Sequence, residues 1–119
     1  LASLQLVLQN DLPAVFEELG RRIERGLEPL RAHPRVRALR RLGGIVAFDL
    51  LPPPGERVGY LSTLAPSLRR AALERGVLLR PLGNVLYAMP PACTSAAECE
   101  RIAAVLCELA NLSFSSELP

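Results

Sequence analysis

Residues 76–91 read GVLLRPLGNVLYAMPP, and this stretch decides how the chain is organised. Val77-Leu78-Leu79 is an apolar run expected to form a short buried strand. Arg80 follows it and precedes Pro81. A proline disfavours the α region for the residue before it, so Arg80 is held extended. Pro81 fixes its own φ and offers no backbone donor. Gly83 permits a tight reversal, and Asn84 tolerates turn geometry. Val85 to Met89 reads as a second short strand, ended by Pro90-Pro91. The segment is therefore a hairpin-like turn with a guanidinium at its mouth. A planar fork of donors on a stiff support suits bidentate capture of a carboxylate. Tyr87, a short strand away, is within reach of the same cleft. Local physics leaves an ordinary surface or ion-pairing arginine as the alternative for Arg80, and simple packing as the alternative for Tyr87.

Working outward, a last helix starts at Thr94 or Ser95. Ser95 and Glu98 have capping-box spacing, and Cys99, Ile102, Val105, Leu106 and Leu109 form its apolar stripe. The tail NLSFSSELP is expected to fray. Before the turn, a helix runs from Ser62 or Thr63 to Gly76, a fitting C′ glycine. Leu64, Leu68, Ala71, Ala72 and Leu73 are its inward candidates. Residues 52–59, PPPGERVG, form an irregular surface loop. Residues 35–41 and 45–48 read as two strand segments joined by a bend or bulge at Gly43-Gly44. Val15, Phe16, Leu19, Ile23, Leu27 and Leu30 recur at spacings of three and four, which predicts an amphipathic helix over about residues 12–31. Asp11 and Pro13 mark its start, and Pro34 is expected to stop it. Glu17–Arg21 and Glu18–Arg22 are favourable i,i+4 pairs, each worth roughly 0.2–0.5 kcal/mol. Residues 2–9 have a helical look. Short strands mixed with covering helices give an α+β layer.

The chain has 119 residues, which suits a single domain spanning 1–119. It is 50% hydrophobic but only 4% aromatic, so its core rests on Leu, Val, Ile and Ala. The net charge is +2, and all 14 basic residues are arginine. The absence of lysine has a chemical consequence. An aldehyde cofactor forms a Schiff base only with an amine, and this chain could offer only its N-terminus. Cys93, Cys99 and Cys107 lack C-x-x-C spacing and read as free thiols of a reducing compartment. His33, beside Pro34, reads as a helix-end partner, and no metal site is expected. Eight arginines fall between residues 21 and 41. Interleaved glutamates and missing aromatics argue against a nucleic-acid arm. No stretch is long and apolar enough to span a membrane. The opening LASLQLVLQN lacks a basic n-region and reads like the tail of a helix, as if cut from a longer chain.

GVLLRPLGNVLYAMPP closely resembles the C-terminal signature of the class III pyridoxal-phosphate-dependent aminotransferases. HPRVRALRRLGGIVAFDL resembles the family's strand pair that opens the small domain. GRRIERGLEPLRAHP resembles the long helix before it, and LASLQLVLQ the end of the helix leaving the large domain. The resemblance covers about residues 2–111. It implies the C-terminal small domain of a fold-type I transferase: a short antiparallel sheet covered by helices. It implies pyridoxal 5'-phosphate, bound by a large domain absent here, so no catalytic or cofactor-binding residue is expected in this chain. It implies that Arg80 binds the carboxylate of the keto-acid acceptor and that Tyr87 lies near the same pocket. It also implies a cytoplasmic homodimer. The Y-x-M-P-P run resembles the biotin-pathway branch, in which S-adenosylmethionine donates an amino group to 8-amino-7-oxononanoate. An ornithine-, diaminobutyrate- or 4-aminobutyrate-type enzyme, or a non-catalytic fragment acting only by association, stays open. Two departures stand out. Ala92 replaces the family's aromatic after M-P-P, with a shorter connection to the last helix, and the 52–59 loop has no counterpart.

Overall fold

The computed structural model describes residues 1–113. Four helices, α1 (Ala2–Gln9), α2 (Leu12–Gly26), α3 (Leu64–Glu74) and α4 (Ala96–Asn111), accompany three strands, β1 (Val36–Leu42), β2 (Ile45–Leu50) and β3 (Val85–Ala88). Short 3-10 turns occupy Glu28–Ala32 and Gly59–Leu61. The sheet is antiparallel in the order β1-β2-β3. The expected α+β class is the one observed.

Period two along β2 and β3 builds one buried sheet face from Val46, Phe48, Leu50, Leu86 and Ala88. That face joins one core with Leu19 and Ile23 of α2, Leu68 and Ala72 of α3, and Cys99, Leu106 and Leu109 of α4. α2 packs on β1 and β2, and α4 packs on α2 and α3. The turn at Gly43-Gly44 joins β1 directly to β2, pairing Leu42 with Ile45. The ladder irregularity lies instead between Arg37 and Arg40, where Ala38 has φ 51°.

The long helix is shorter than its periodicity suggests. α2 ends at Gly26, and a 3-10 turn carries Leu30. Gly26 is a weak helix former, and Pro29 cannot continue the hydrogen-bond ladder and crowds the preceding turn. Leu27 and Leu30 stay buried, so the apolar spacing survived the change of helix type. Asp11 precedes the helix with φ 45° and no side-chain cap. The pairs Arg21–Glu17 and Arg22–Glu18 form at 3.5 and 3.0 Å.

α3 starts and ends near its expected bounds. Its C-terminus is a Schellman turn: Gly76, at φ 78°, donates to Leu73, and Val77 donates to Ala72. Leu73 is exposed, against expectation, because it lies about 100° around the helix from Ala72. Ser95 and Glu98 form the full capping box of α4. Val77–Leu79 is not a strand. Val77 and Leu79 are buried and Leu78 is exposed, but no ladder bond holds them. Leu82 and Val85 make one isolated bridge. The next hydrogen-bonded rung would pair Arg80 with Tyr87, and no such bond forms. Of the tail expected to fray, Asn111 still ends α4, and residues 114–119 lie outside the described residues. Among the described residues no helix is long and apolar enough to cross a membrane.

Candidate functional site

The Arg-Pro turn is clamped from both sides. Leu79 is sunk in the core just before Arg80. Beyond Pro81, Leu82 N donates to Val85 O at 3.0 Å and Val85 N returns a bond to Leu82 O at 2.9 Å. Between them sit Gly83, at φ 59°, and Asn84, only 2% exposed. A Cβ at Gly83 would lie 2.1 Å from Gly59 O, so only glycine lets these two backbones meet.

Asn84 fixes the turn to the rest of the fold. Its Nδ2 donates to Leu50 O at 3.0 Å, and its Oδ1 accepts from Gly59 N at 2.8 Å. Its own carbonyl accepts from Leu50 N at 2.8 Å. Sequence reasoning gave Asn84 only tolerance of turn geometry. The available signal was an amide, able to donate and accept at once, beside a glycine in an otherwise apolar segment. Nothing in the local pattern pointed to partners 25 and 34 residues away.

Arg80 is thus held by its backbone and free at its side chain. It is exposed, with no hydrogen-bond or ion-pair partner among the described residues. It lines an open groove of about 820 Å³ with Arg69 and Arg70 of α3, over Pro66, Leu73 and Pro81. Tyr87 is half-buried on β3, opposite Ala47. Its neighbours Leu86 and Ala88 face the core, so Tyr87 belongs to the other face of the sheet. It does not line the Arg80 groove. A second groove of about 420 Å³ runs between Val77–Leu79 and the start of α4, with Met89 and Cys93 on its wall.

The arginine cluster and the histidine have structural partners. The eight arginines between residues 21 and 41 each bond to a glutamate, an aspartate or a backbone carbonyl. His33 Nδ1 accepts from Arg35 N at 3.1 Å, and Nε2 sits 3.2 Å from Asn111 Oδ1. It ties the end of the 3-10 turn to the end of α4. Burial pushes the Cys99 and Cys107 thiols up. Among the described residues no three potential metal ligands cluster. With no lysine in the sequence, no side chain here can form an imine with an aldehyde cofactor.

The chain is similar to known proteins along most of its length. The family model for the class III aminotransferases matches residues 1–109. The adenosylmethionine-8-amino-7-oxononanoate aminotransferase of Synechococcus elongatus is 43% identical over 109 residues, which cover 92% of this chain and 24% of that protein. The enzyme of the same name from Mycobacterium leprae is 32% identical over 111 residues, covering 93% and 23%. The chain therefore spans about a quarter of the length of these relatives. The crystal structure of the omega transaminase from Pseudomonas jessenii in complex with PMP superposes with a TM-score of 0.75 at 23% identity, over 89% of this chain and 24% of that one. That likeness shows the fold. With the family model spanning the Arg-Pro turn, the strand pair and α4 together, the chain belongs to the class III aminotransferases.

Proposed function

We propose that residues 1–119 are the C-terminal small domain of an aminotransferase of biotin synthesis. The whole enzyme would move an amino group from S-adenosylmethionine to 8-amino-7-oxononanoate, giving 7,8-diaminononanoate. The observation that carries this reading is Arg80: a guanidinium on a clamped turn, with no partner of its own among the described residues. In this reading its fork grips the acceptor's carboxylate, which fixes the distance from that end of the substrate to the reacting carbonyl. Tyr87 lies outside the Arg80 groove, so in this reading it would border the substrate only where the large domain closes over the open sheet face. The names of the relatives and the Y-x-M-P-P run support this substrate pair over ornithine-, diaminobutyrate- or 4-aminobutyrate-type alternatives.

Pyridoxal 5'-phosphate carries the amino group in this chemistry. The residues of this chain do not fit as its holder, since none offers a side-chain amine. The cofactor would belong to the large domain, and the role left to this chain is binding and orienting substrate. The working form would be a cytoplasmic homodimer. Leu4, Leu6 and Leu8 of α1, with Leu42 and Leu78 elsewhere, are exposed. In the whole enzyme they would lie against the large domain or the second subunit.

The test is a chimera. This chain replaces the matching quarter of the Synechococcus elongatus enzyme, and transamination from S-adenosylmethionine to 8-amino-7-oxononanoate is assayed. Activity within about tenfold of the parent supports the reading. A folded, cofactor-loaded chimera that transaminates other amino acids but not this pair would contradict it.

A further inference from the structure

The charge distribution is uneven. Ten arginines are engaged with carboxylates or carbonyls. Arg57, Arg69, Arg70 and Arg80 have no such partner among the described residues. Three of these share one groove, Arg69 and Arg70 from α3 and Arg80 from the turn. The fourth, Arg57, lies in the 52–59 loop, outside that groove. Glu74 stands one helical turn beyond Arg70, yet the two form no ion pair. The molecule's net charge is only +2, and this groove gathers three arginines that have neither a carboxylate nor a carbonyl partner among the described residues.

The three guanidiniums differ in support. Arg80 is fixed between Leu79 and the Leu82–Val85 bridge, as bidentate binding requires. Arg69 and Arg70 lie on the exposed side of a helix whose buried residues are Leu64, Leu68 and Ala72. They lack a pre-set geometry and would act as charge alone. Like charges along a low-dielectric wall focus the field and concentrate counter-ions near it. The groove floor, Pro66, Leu73 and Pro81, is apolar. Leu73 is 58% exposed there.

We infer that Arg69 and Arg70 are positioning residues that draw a carboxylate on an apolar chain into the groove and deliver it to Arg80. This rests on the reading of Arg80 as the carboxylate receptor, and deepens it by separating capture from grip. Capture depends on charge and is screened by salt. Grip depends on the planar fork. Lysine should therefore replace arginine at positions 69 and 70 but not at position 80.

The experiment uses the full chain, with hexanoate as probe and hexanol as the uncharged control. Binding is followed by NMR of the arginine Nε–H signals at about 10 mM and about 1 M salt, where the Debye length falls from about 30 to about 3 Å. The native chain should bind hexanoate and not hexanol. The double variant Arg69→Gln/Arg70→Gln should bind it about tenfold more weakly at low salt and equally at high salt. Arg69→Lys/Arg70→Lys should match the native chain. Equal binding by native and Gln variants at low salt overturns the inference, as does a loss in the Lys variant or one that persists at high salt. If those results hold and Arg80→Gln leaves binding unchanged, the receptor reading itself fails. If Arg80→Gln and Arg80→Lys abolish binding while the position 69 and 70 variants do nothing, only the steering role fails. No hexanoate binding by the native chain overturns the inference outright.

Discussion

Asn84 and Leu50 are joined twice: Asn84 Nδ2 donates to Leu50 O at 3.0 Å, and Leu50 N donates to Asn84 O at 2.8 Å. The end of β2 is thereby sewn to the turn that carries Arg80. Asn84→Ala strands Leu50 O and, with the loss of Oδ1, Gly59 N. Each unpaired group costs about 1–3 kcal/mol when buried, so with Gly59 only half-buried the variant should lose about 2–4 kcal/mol. Chemical denaturation of the native chain and variant measures this. A loss below about 0.5 kcal/mol, the usual range of surface changes, would mean that the Asn84 bonds do not hold the turn.

Gly83→Ala tests the same clamp sterically. The new Cβ would sit 2.1 Å from Gly59 O on a backbone at φ 59°. Gly55, at φ 91°, has nothing within 4 Å of a built Cβ and is the control. Alanine at Gly55 should cost about 1–2 kcal/mol for the backbone conformation alone. At Gly83 it should cost clearly more, read as a larger drop in midpoint denaturant concentration. Equal costs would contradict the close approach.

The capping box of α4 should loosen in acid. A bond from the Ser95 backbone N–H, then one with its hydroxyl, holds the Glu98 carboxyl below its ordinary value. A folded-state pKa that is depressed contributes stability above the unfolded value, lost as pH falls through the folded one. The stability gap between the native chain and Glu98→Gln should therefore be full at neutral pH and close below the usual carboxylate range. A pH-independent gap would contradict the assignment. Ser95→Ala should cost about 1 kcal/mol at neutral pH, by thermal or chemical unfolding.

Thiol reactivity should follow burial. Cys93 is exposed, whereas Cys99 is fully buried and Cys107 half-buried, both with thiols pushed up by desolvation. Alkylation at neutral pH, mapped by mass spectrometry, should modify Cys93 first and Cys99 last. Early loss of the Cys99 thiol would mean that α4 does not pack as described.

Legibility followed the range of the interactions. The Ser95–Glu98 box and the Gly76 terminus are local, and the residues announce them; at Gly43-Gly44 the glycines announced a change of direction, but not that it is a tight hairpin with the bulge displaced to Arg37–Arg40. The α2 stripe predicted which side chains are buried but not where the α-helix gives way to a 3-10 turn, since Leu27 and Leu30 bury in either. Val77–Leu79 looked like a strand because buried extended chain and strand share one apolar pattern. Only pairing separates them, and pairing is non-local. In the candidate site, Arg80's stiffness was readable from Pro81. The Asn84 clamp and the grouping of Arg69 and Arg70 with Arg80 were not, because each joins segments far apart in the chain. Tyr87 was readable as a strand residue, but not its place on the sheet face away from the Arg80 groove.

The central claim is that Arg80 grips a substrate carboxylate. Its most direct test compares 8-amino-7-oxononanoate with its methyl ester in the Synechococcus elongatus chimera, with Arg80 intact and as Arg80→Gln. With Arg80, the acid should be favoured over the ester by about 100-fold in kcat/KM, the equivalent of about 3 kcal/mol for a charge-assisted bidentate pair. Arg80→Gln should cut the acid's kcat/KM by about that factor and leave the ester's nearly unchanged. Equal losses for acid and ester, or no loss for either, would contradict the account.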